Sequence, residues 1–92
     1  MRRWHRMTMY KFTIFAYTST VELATIAEKN FEDPDFHHAC YAVEYGNPGT
    51  YFHTDSWDFY SRVYDYLKQR NLCDEKKTEL DNFATLIRHS SD

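Results

Sequence analysis

The chain has few of the residues that make cross-links, loops or membrane spans. It contains two cysteines, two glycines and two prolines in 92 residues. Cys40 and Cys73 are too few for a disulfide framework, so we expect free thiols and a reducing, cytoplasmic location. No apolar run approaches the ~18 residues that a transmembrane helix needs, which argues against a membrane protein. With only Gly46 and Gly49 present, the sequence has no glycine-rich phosphate-binding loop.

Basic residues are also scarce over most of the chain. The formal net charge is −3, although Arg2, Arg3 and Arg6 all lie within the first eight residues. From Glu22 to Asp65 there are nine acidic and two basic residues, so this half of the chain carries −7. A field of that sign repels nucleic acid and attracts basic protein surfaces.

Aromatic residues, in contrast, are abundant and make up 18% of the chain. The length predicts one domain, residues 1–92, in which residues 1–8 form a flexible basic leader. Seven aromatic residues crowd the stretch between residues 51 and 66. We therefore expect this stretch to serve both the core and the contact with a partner.

The pattern of apolar and turn residues predicts an α+β domain of order β-α-β-β-α-α. Residues 9–17 alternate as a strand, and Ser19 opens a capping box for a helix that runs to about residue 30. Residues 36–45 and 50–54 form two more strands around the turn Gly46-Asn47-Pro48-Gly49. If Tyr45 pairs with Thr50, then Val43 lies opposite Phe52 and Ala42 lies near His53.

Two helices complete the predicted fold, residues 56–70 and 75–89, capped by Asp55 or Thr54 and by Asp74. We expect a small three-stranded antiparallel sheet with three helices packed on one face. In the last helix the apolar spacing predicts a core side and a solvent side. The core side is Leu80, Phe83, Ala84 and Ile87, and the solvent side is Asp74, Thr78, Asp81 and Arg88.

Candidate catalytic and metal-binding residues do not form a known motif. His38, Cys40 and His53 converge on one sheet face in the predicted register, but the paired ligand spacings of zinc sites are absent. The sequence has no nucleophile elbow, and its neighbouring carboxylates show no sign of burial. We therefore expect no enzymatic activity, no metal and no cofactor.

The acidic residues are more regularly placed. Asp58 and Asp65 lie seven residues apart, which puts them on one helix face about 10 Å apart, and Asp55 falls near the same line. Carboxylates at this spacing coarsely imitate a row of DNA phosphates. Phe59 and Tyr66 flank the row and are candidate apolar anchors of a protein interface. The remaining candidate contacts are Glu44 and the loop acids Glu32, Asp33 and Asp35.

The whole chain resembles the small anti-restriction nuclease (Arn) proteins of T-even bacteriophages. The residues that carry the resemblance are the segments MYKFTIFAYTS, FEDPDF and DSWDFYSRVYDY, together with the element order. The resemblance implies a homodimeric DNA mimic of bacteriophage origin that occupies the DNA-binding surface of a host restriction nuclease and so evades host defence. The basic leader and the modest net charge depart from that pattern.

Three functions follow from the sequence, in order of preference. The first is a DNA-mimic inhibitor that competes with DNA for a host restriction nuclease or another DNA-binding protein, without binding nucleic acid itself. The alternative is a general protein–protein interaction module, a viral regulator of a host enzyme, that docks through exposed aromatic residues. The third is a nucleic-acid binder that uses Arg2, Arg3 and Arg6.

Overall fold

The computed structural model describes residues 10–30 and 39–91, which form a three-stranded antiparallel sheet and three helices. The elements are β1 (Phe12–Ala16), α1 (Thr20–Asn30), β2 (Tyr41–Tyr45), β3 (Thr50–Thr54), α2 (Trp57–Gln69) and α3 (Glu75–Ser91). The predicted α+β class and element order are confirmed. The predicted leader, the loop acids Glu32, Asp33 and Asp35, and His37 and His38 lie outside the described residues.

The sheet has the strand order β1-β3-β2, so β3 is its centre. The register predicted from the turn is confirmed, because Tyr45 pairs with Thr50 and Val43 pairs with Phe52. Gly49 is required at the turn, because a Cβ there would collide with the backbone of Ala16. The hairpin therefore packs closely against the end of β1.

One face of the sheet carries the main hydrophobic core. Ile14 and Phe52 project from the sheet and are fully buried against Leu23 of α1 and Val63 and Leu67 of α2. Burying each such side chain contributes about 1.5–3 kcal/mol. Helices α1 and α2 therefore pack together on one face of the sheet, as the sequence predicts.

Side-chain caps define where the helices begin. The Ser19 hydroxyl accepts the backbone N–H of Glu22, as the capping box predicts. At α2 the cap is Ser56, whose hydroxyl accepts the N–H of Phe59 at 3.2 Å. The prediction of Asp55 or Thr54 at this position is wrong, because Asp55 instead accepts the N–H of Cys40.

Helix α3 departs from the predicted arrangement, because it lies along the outer edge of β1. Asn82 Oδ1 accepts the N–H of Thr13 at 2.8 Å, and Asn82 Nδ2 donates to the carbonyl of Thr13 at 3.0 Å. The Thr78 hydroxyl accepts the N–H of Phe15 at 3.0 Å. An edge strand exposes unpaired peptide groups, and these polar side chains satisfy them as a further strand would.

The predicted faces of α3 are consequently reversed. Thr78 is fully buried and Thr85 is 8% exposed, whereas Leu80 and Phe83 are each 60% exposed. Ala84 and Ile87 are exposed as well. The prediction is wrong because apolar periodicity normally marks the buried side, but the edge of β1 requires hydrogen-bonding partners.

Candidate protein-binding surface

The predicted acidic row is partly assembled on α2. Asp58 and Asp65 are both exposed, two turns apart on the helix. Asp65 lies 4.0 Å from the ammonium of Lys68. Asp55 is half-buried and holds the N–H of Cys40 at 3.2 Å, which ties its carboxylate to the start of the hairpin. The structure therefore presents Asp58 and Asp65 to solvent more openly than Asp55.

Glu44 lies on the other side of the molecule from this row. Its neighbours in the hairpin, Val43 and Phe52, face the core and the helices, so Glu44 points from the opposite sheet face. There its carboxylate lies 2.9 Å from Nε2 of His53. Glu44 and the α2 acids do not share one surface.

The two predicted aromatic anchors are not available as exposed rings. Phe59 is 4% exposed, and its ring packs edge-on against Tyr41 and Phe52 in the core. Tyr66 is half-buried, and the guanidinium of Arg70 lies 3.6 Å from the centre of its ring. The prediction that Phe59 is a contact residue is corrected, because its position on α2 faces the sheet.

Several exposed apolar residues lie together elsewhere, on the outer face of α3. Leu80, Phe83 and Ile87 follow the spacing i, i+3, i+7, so they share one side of the helix. Thr78, Asn82 and Thr85 follow the spacing i, i+4, i+7 on the side that contacts β1. Two residues turn a helix by about 200°, so the two sets point in opposite directions. We call Leu80, Phe83, Ala84 and Ile87 the outer stripe.

A groove runs beside the outer stripe, between α3 and the start of α2. Its volume is about 720 Å³. Trp57 is 60% exposed and Leu86 is 62% exposed at its walls, and the rings of Phe12 and Trp57 meet edge-on 5.4 Å apart. The lining residues are Lys11, Phe12, Trp57, Tyr60, Glu79, Asn82, Phe83 and Leu86. Trp57, in the first turn of α2, lies at the rim of this groove.

A chain of polar side chains crosses the second face of the sheet. Thr13 Oγ1 lies 3.0 Å from His53 Nδ1, and His53 Nε2 lies 2.9 Å from Glu44. A carboxylate only accepts, so a neutral His53 donates from Nε2 and accepts the Thr13 hydroxyl at Nδ1. Hydroxyl, imidazole and carboxylate follow one another here in the order that they have in enzymes with a hydroxyl nucleophile, a histidine base and an acid that orients the base. The N–H of Thr13 is already bonded to Asn82, so it is not available to stabilise an oxyanion.

Metal binding has no support in the part of the chain that the structure describes. Within residues 10–30 and 39–91, no three histidine, cysteine or acidic side chains lie close enough together to hold an ion. The convergence expected for His53 and Cys40 does not form such a cluster.

Three ionisable groups near the start of α3, Asp74, Tyr17 and Cys73, have shifted pKa values. The N–H of Lys77, which donates to Asp74 Oδ1 at 2.9 Å, holds the pKa of Asp74 below its ordinary value. The Tyr17 hydroxyl donates to the other oxygen of Asp74 at 2.7 Å, and this bond raises the pKa of Tyr17. Burial raises the pKa of the neighbouring Cys73 thiol to about 11. Cys73 is therefore a packed structural thiol rather than an activated nucleophile.

Sequence reasoning missed the outer stripe and the groove as candidate surfaces. A signal for the reversal is present, since Thr78, Asn82 and Thr85 form a small-polar stripe of helical period. That stripe indicates a side of the helix that can bond the edge of a strand. The apolar spacing of Leu80, Phe83 and Ile87 is the stronger signal, however, and it favours the opposite side as the one that faces the sheet.

Comparison with protein families, curated proteins and solved structures found no match to this chain. Among the helices of residues 10–30 and 39–91, none combines the length and apolar character needed to cross a bilayer.

Proposed function

We propose that this chain is a non-enzymatic protein–protein interaction module, a regulator that acts by docking through the outer stripe of α3. The observation that supports the proposal is the reversed polarity of α3. Leu80 and Phe83 are each 60% exposed while Thr78 is fully buried. The docking residues that we propose therefore differ from Phe59 and Tyr66.

Apolar side chains exposed in this way are unfavourably hydrated, and a partner that covers them removes this cost in free energy. Large exposed patches of apolar side chains mark interaction sites in soluble proteins. Leu80, Phe83 and Ile87 have the i, i+3, i+7 spacing with which helices pack into grooves of other proteins. Trp57 lies beside them at the groove, and tryptophan is enriched among residues that contribute most to binding.

Site-specific photocrosslinking tests the proposal. A benzophenone side chain at position 83 should capture a protein, because Phe83 lies within the outer stripe. The same group at position 21 is the matched control, because Val21 is 74% exposed on α1, outside that stripe. The adduct at position 83 should persist at high salt, since an apolar contact is not screened. Equal capture from both positions, or from neither, would contradict the proposal.

A second candidate is the DNA-mimic inhibitor that occupies the DNA-binding surface of a host restriction nuclease or another DNA-binding protein. The observation that favours it is the pair of exposed carboxylates, Asp58 and Asp65, two turns apart on α2. Their spacing is about 10 Å along the helix, about three phosphate steps of one DNA strand. Paired with lysine or arginine on a partner, they would give association that weakens steeply with salt.

Charge reversal separates the two candidates. Under the mimic, Asp58→Lys with Asp65→Lys should abolish partner binding, and duplex DNA should displace the wild-type protein. Under the interaction module, the same double variant retains its partner, while Leu80→Glu with Phe83→Glu loses it. Binding that survives high salt and resists DNA competition counts against the mimic.

A further inference from the structure

We infer that the outer edge of β2 binds an extended basic segment of another protein, which adds to the sheet as an antiparallel fourth strand. The contact lies on a different surface from the outer stripe, so the inference goes beyond the proposed function and does not depend on it. Its basis is the difference between the two edges of the sheet.

The two edges of the sheet are covered to different degrees. At β1, the peptide groups of Thr13 and Phe15 are bonded by side chains of α3, and the last three residues of the strand are buried. In β2 no residue is buried, and Tyr45 at its end is 76% exposed. A strand can therefore add at β2 but not at β1.

Hydrogen bonds at the two ends of the hairpin show which peptide groups of β2 face outward. The N–H of Asp55 donates to the carbonyl of Cys40 at one end, and the N–H of Gly46 donates to the carbonyl of Gly49 at the other. Because bonded and non-bonded positions alternate in an antiparallel ladder, the peptide groups of the even-numbered residues of β2 face β3. The outward groups are those of Tyr41, Val43 and Tyr45. Among the described residues, none of these peptide groups has a hydrogen-bond partner.

Negative charge beside β2 determines the chemistry of the added strand. The Glu44 side chain is 55% exposed, and one of its oxygens lies 2.9 Å from His53 Nε2. Within the described part of the chain, Glu44 has no lysine or arginine partner. In antiparallel pairing the residue opposite Glu44 has its side chain on the same face, where a lysine or arginine stabilises the pair. The adjacent positions of the added strand lie opposite Val43 and Tyr45 and suit β-branched residues.

Strand addition at β2 ends after one strand, because the other edge of the sheet is occupied. A sheet with two open edges lets molecules add to one another repeatedly, which leads to aggregation. Here the side chains of Asn82 and Thr78 take the place of a strand at β1. The product is therefore a four-stranded sheet.

Fluorescence anisotropy with a labelled synthetic peptide tests the inference. The probe is a short peptide in which valine alternates with lysine, and the same peptide with glutamate in place of lysine is its control. The lysine peptide should bind the full chain with an affinity that falls as salt is added. The glutamate peptide should bind about tenfold more weakly. Equal affinity of the two peptides would overturn the inference of a basic partner.

N-methylated peptides test the strand pairing. Methyl groups on the valine amides block the N–H groups that face β2, whereas methyl groups on the lysine amides lie on the far edge of the added strand. The first peptide should lose binding and the second should retain it. Equal binding by both would rule out strand addition.

Variants at position 44 test the contact on the protein side. Glu44→Lys should reverse the preference from the lysine peptide to the glutamate peptide. Glu44→Gln, which can keep the hydrogen bond to His53, should abolish the preference. Glu79→Lys is the matched control, because Glu79 is exposed on α3, and it should leave the preference unchanged. A preference for lysine that survives Glu44→Lys would overturn the inference.

Amide hydrogen exchange of the chain without peptide measures whether the edge is open. The N–H groups of Tyr41 and Val43 should exchange quickly and those of Ala42 and Glu44 slowly, and the lysine peptide should protect the first pair. Protection of the first pair without peptide would overturn the inference. If deletion of residues 1–9 removes that protection, the occupant is the chain's own N-terminal segment, and if dilution removes it, the occupant is a second copy.

Discussion

Asn82 shows how one side chain decides where an element packs. Its amide group pairs with the N–H and the carbonyl of Thr13 and also donates to the Tyr60 hydroxyl at 3.0 Å. A primary amide presents a donor and an acceptor side by side, as a peptide group does. Asn82 thus takes the place of a neighbouring strand at the edge of β1 and links α3 to both β1 and α2.

Replacing Asn82 with alanine should lower the free energy of unfolding by about 2–3 kcal/mol. The reason is that the N–H of Thr13 and the hydroxyl of Tyr60 lose their partners in a half-buried setting. Urea unfolding measures the change, with Gln69→Ala, at an exposed position, as the control. A loss no larger than that of the control would show that Asn82 does not hold α3 in place.

The two thiols should differ in reactivity. Burial raises the pKa of Cys73 to about 11, so at pH 8 roughly one molecule in a thousand carries its thiolate. Cys40 is exposed. Alkylation at pH 8 followed by peptide mapping should label Cys40 well before Cys73, and denaturation should remove the difference. Equal labelling in the folded protein would contradict the burial of Cys73.

At the scale of the element, α3 is a helix with its polar side inward and its apolar side outward. Its N-terminus is held by Asp74, which accepts the N–H of Lys77 and donates its own N–H to the carbonyl of Phe15. The cap therefore serves two purposes, since it starts the helix and fastens that start to β1. Hydrogen bonds, more than apolar burial, hold this helix to the sheet.

Replacing Asp74 with alanine should lower the melting temperature at neutral pH by about 4–8 °C. The pKa of Asp74 is lowered in the folded state, so its stabilisation is complete above its ordinary pKa. It is lost as the pH falls through the lowered value, where the folded carboxylate takes up its proton.

Thermal scans from about pH 7 down to about pH 3 measure this dependence. The difference between wild-type and Asp74→Ala should shrink on acidification. Asp58→Ala, an exposed acid in the first turn of α2, serves as the control. A difference that stays constant across the range would exclude the charged cap.

The elements that local chemistry determines were predictable from the sequence. Turn residues indicated the pairing of Tyr45 with Thr50, and Ser19 and Asp74 marked the starts of helices as observed. The orientation of α3 was not predictable in the same way, because apolar period indicates only which residues share a side. Whether that side faces the core or a partner depends on the strand edge it meets.

At the scale of the whole molecule, the acidic residues are spread over more than one side. Glu44 lies on the second sheet face, whereas Asp58 and Asp65 lie on α2 across the core. The sequence analysis names these residues together as candidate contacts of one partner. Alternation along β2 separates them, because adjacent strand residues face opposite sides.

The intact chain should not bind duplex DNA at physiological salt. A net charge of −3 and outward carboxylates on α2 repel the phosphate backbone. A gel-shift titration measures this, with deletion of residues 1–8 as the comparison. A shift by the full chain that disappears on that deletion would instead support nucleic-acid binding by Arg2, Arg3 and Arg6.

The hydrogen bonds that hold α3 against the edge of β1 also protect the protein from aggregation. If α3 detaches from the sheet, the peptide groups of Thr13 and Phe15 become exposed, and so do the side chains of Asn82 and Thr78 that had bonded them. Neighbouring molecules would then find an unprotected strand onto which they can add, the route by which cross-β fibrils grow. Solutions of chains with weakened α3 contacts should therefore turn fibrillar before they lose the α1–α2 core.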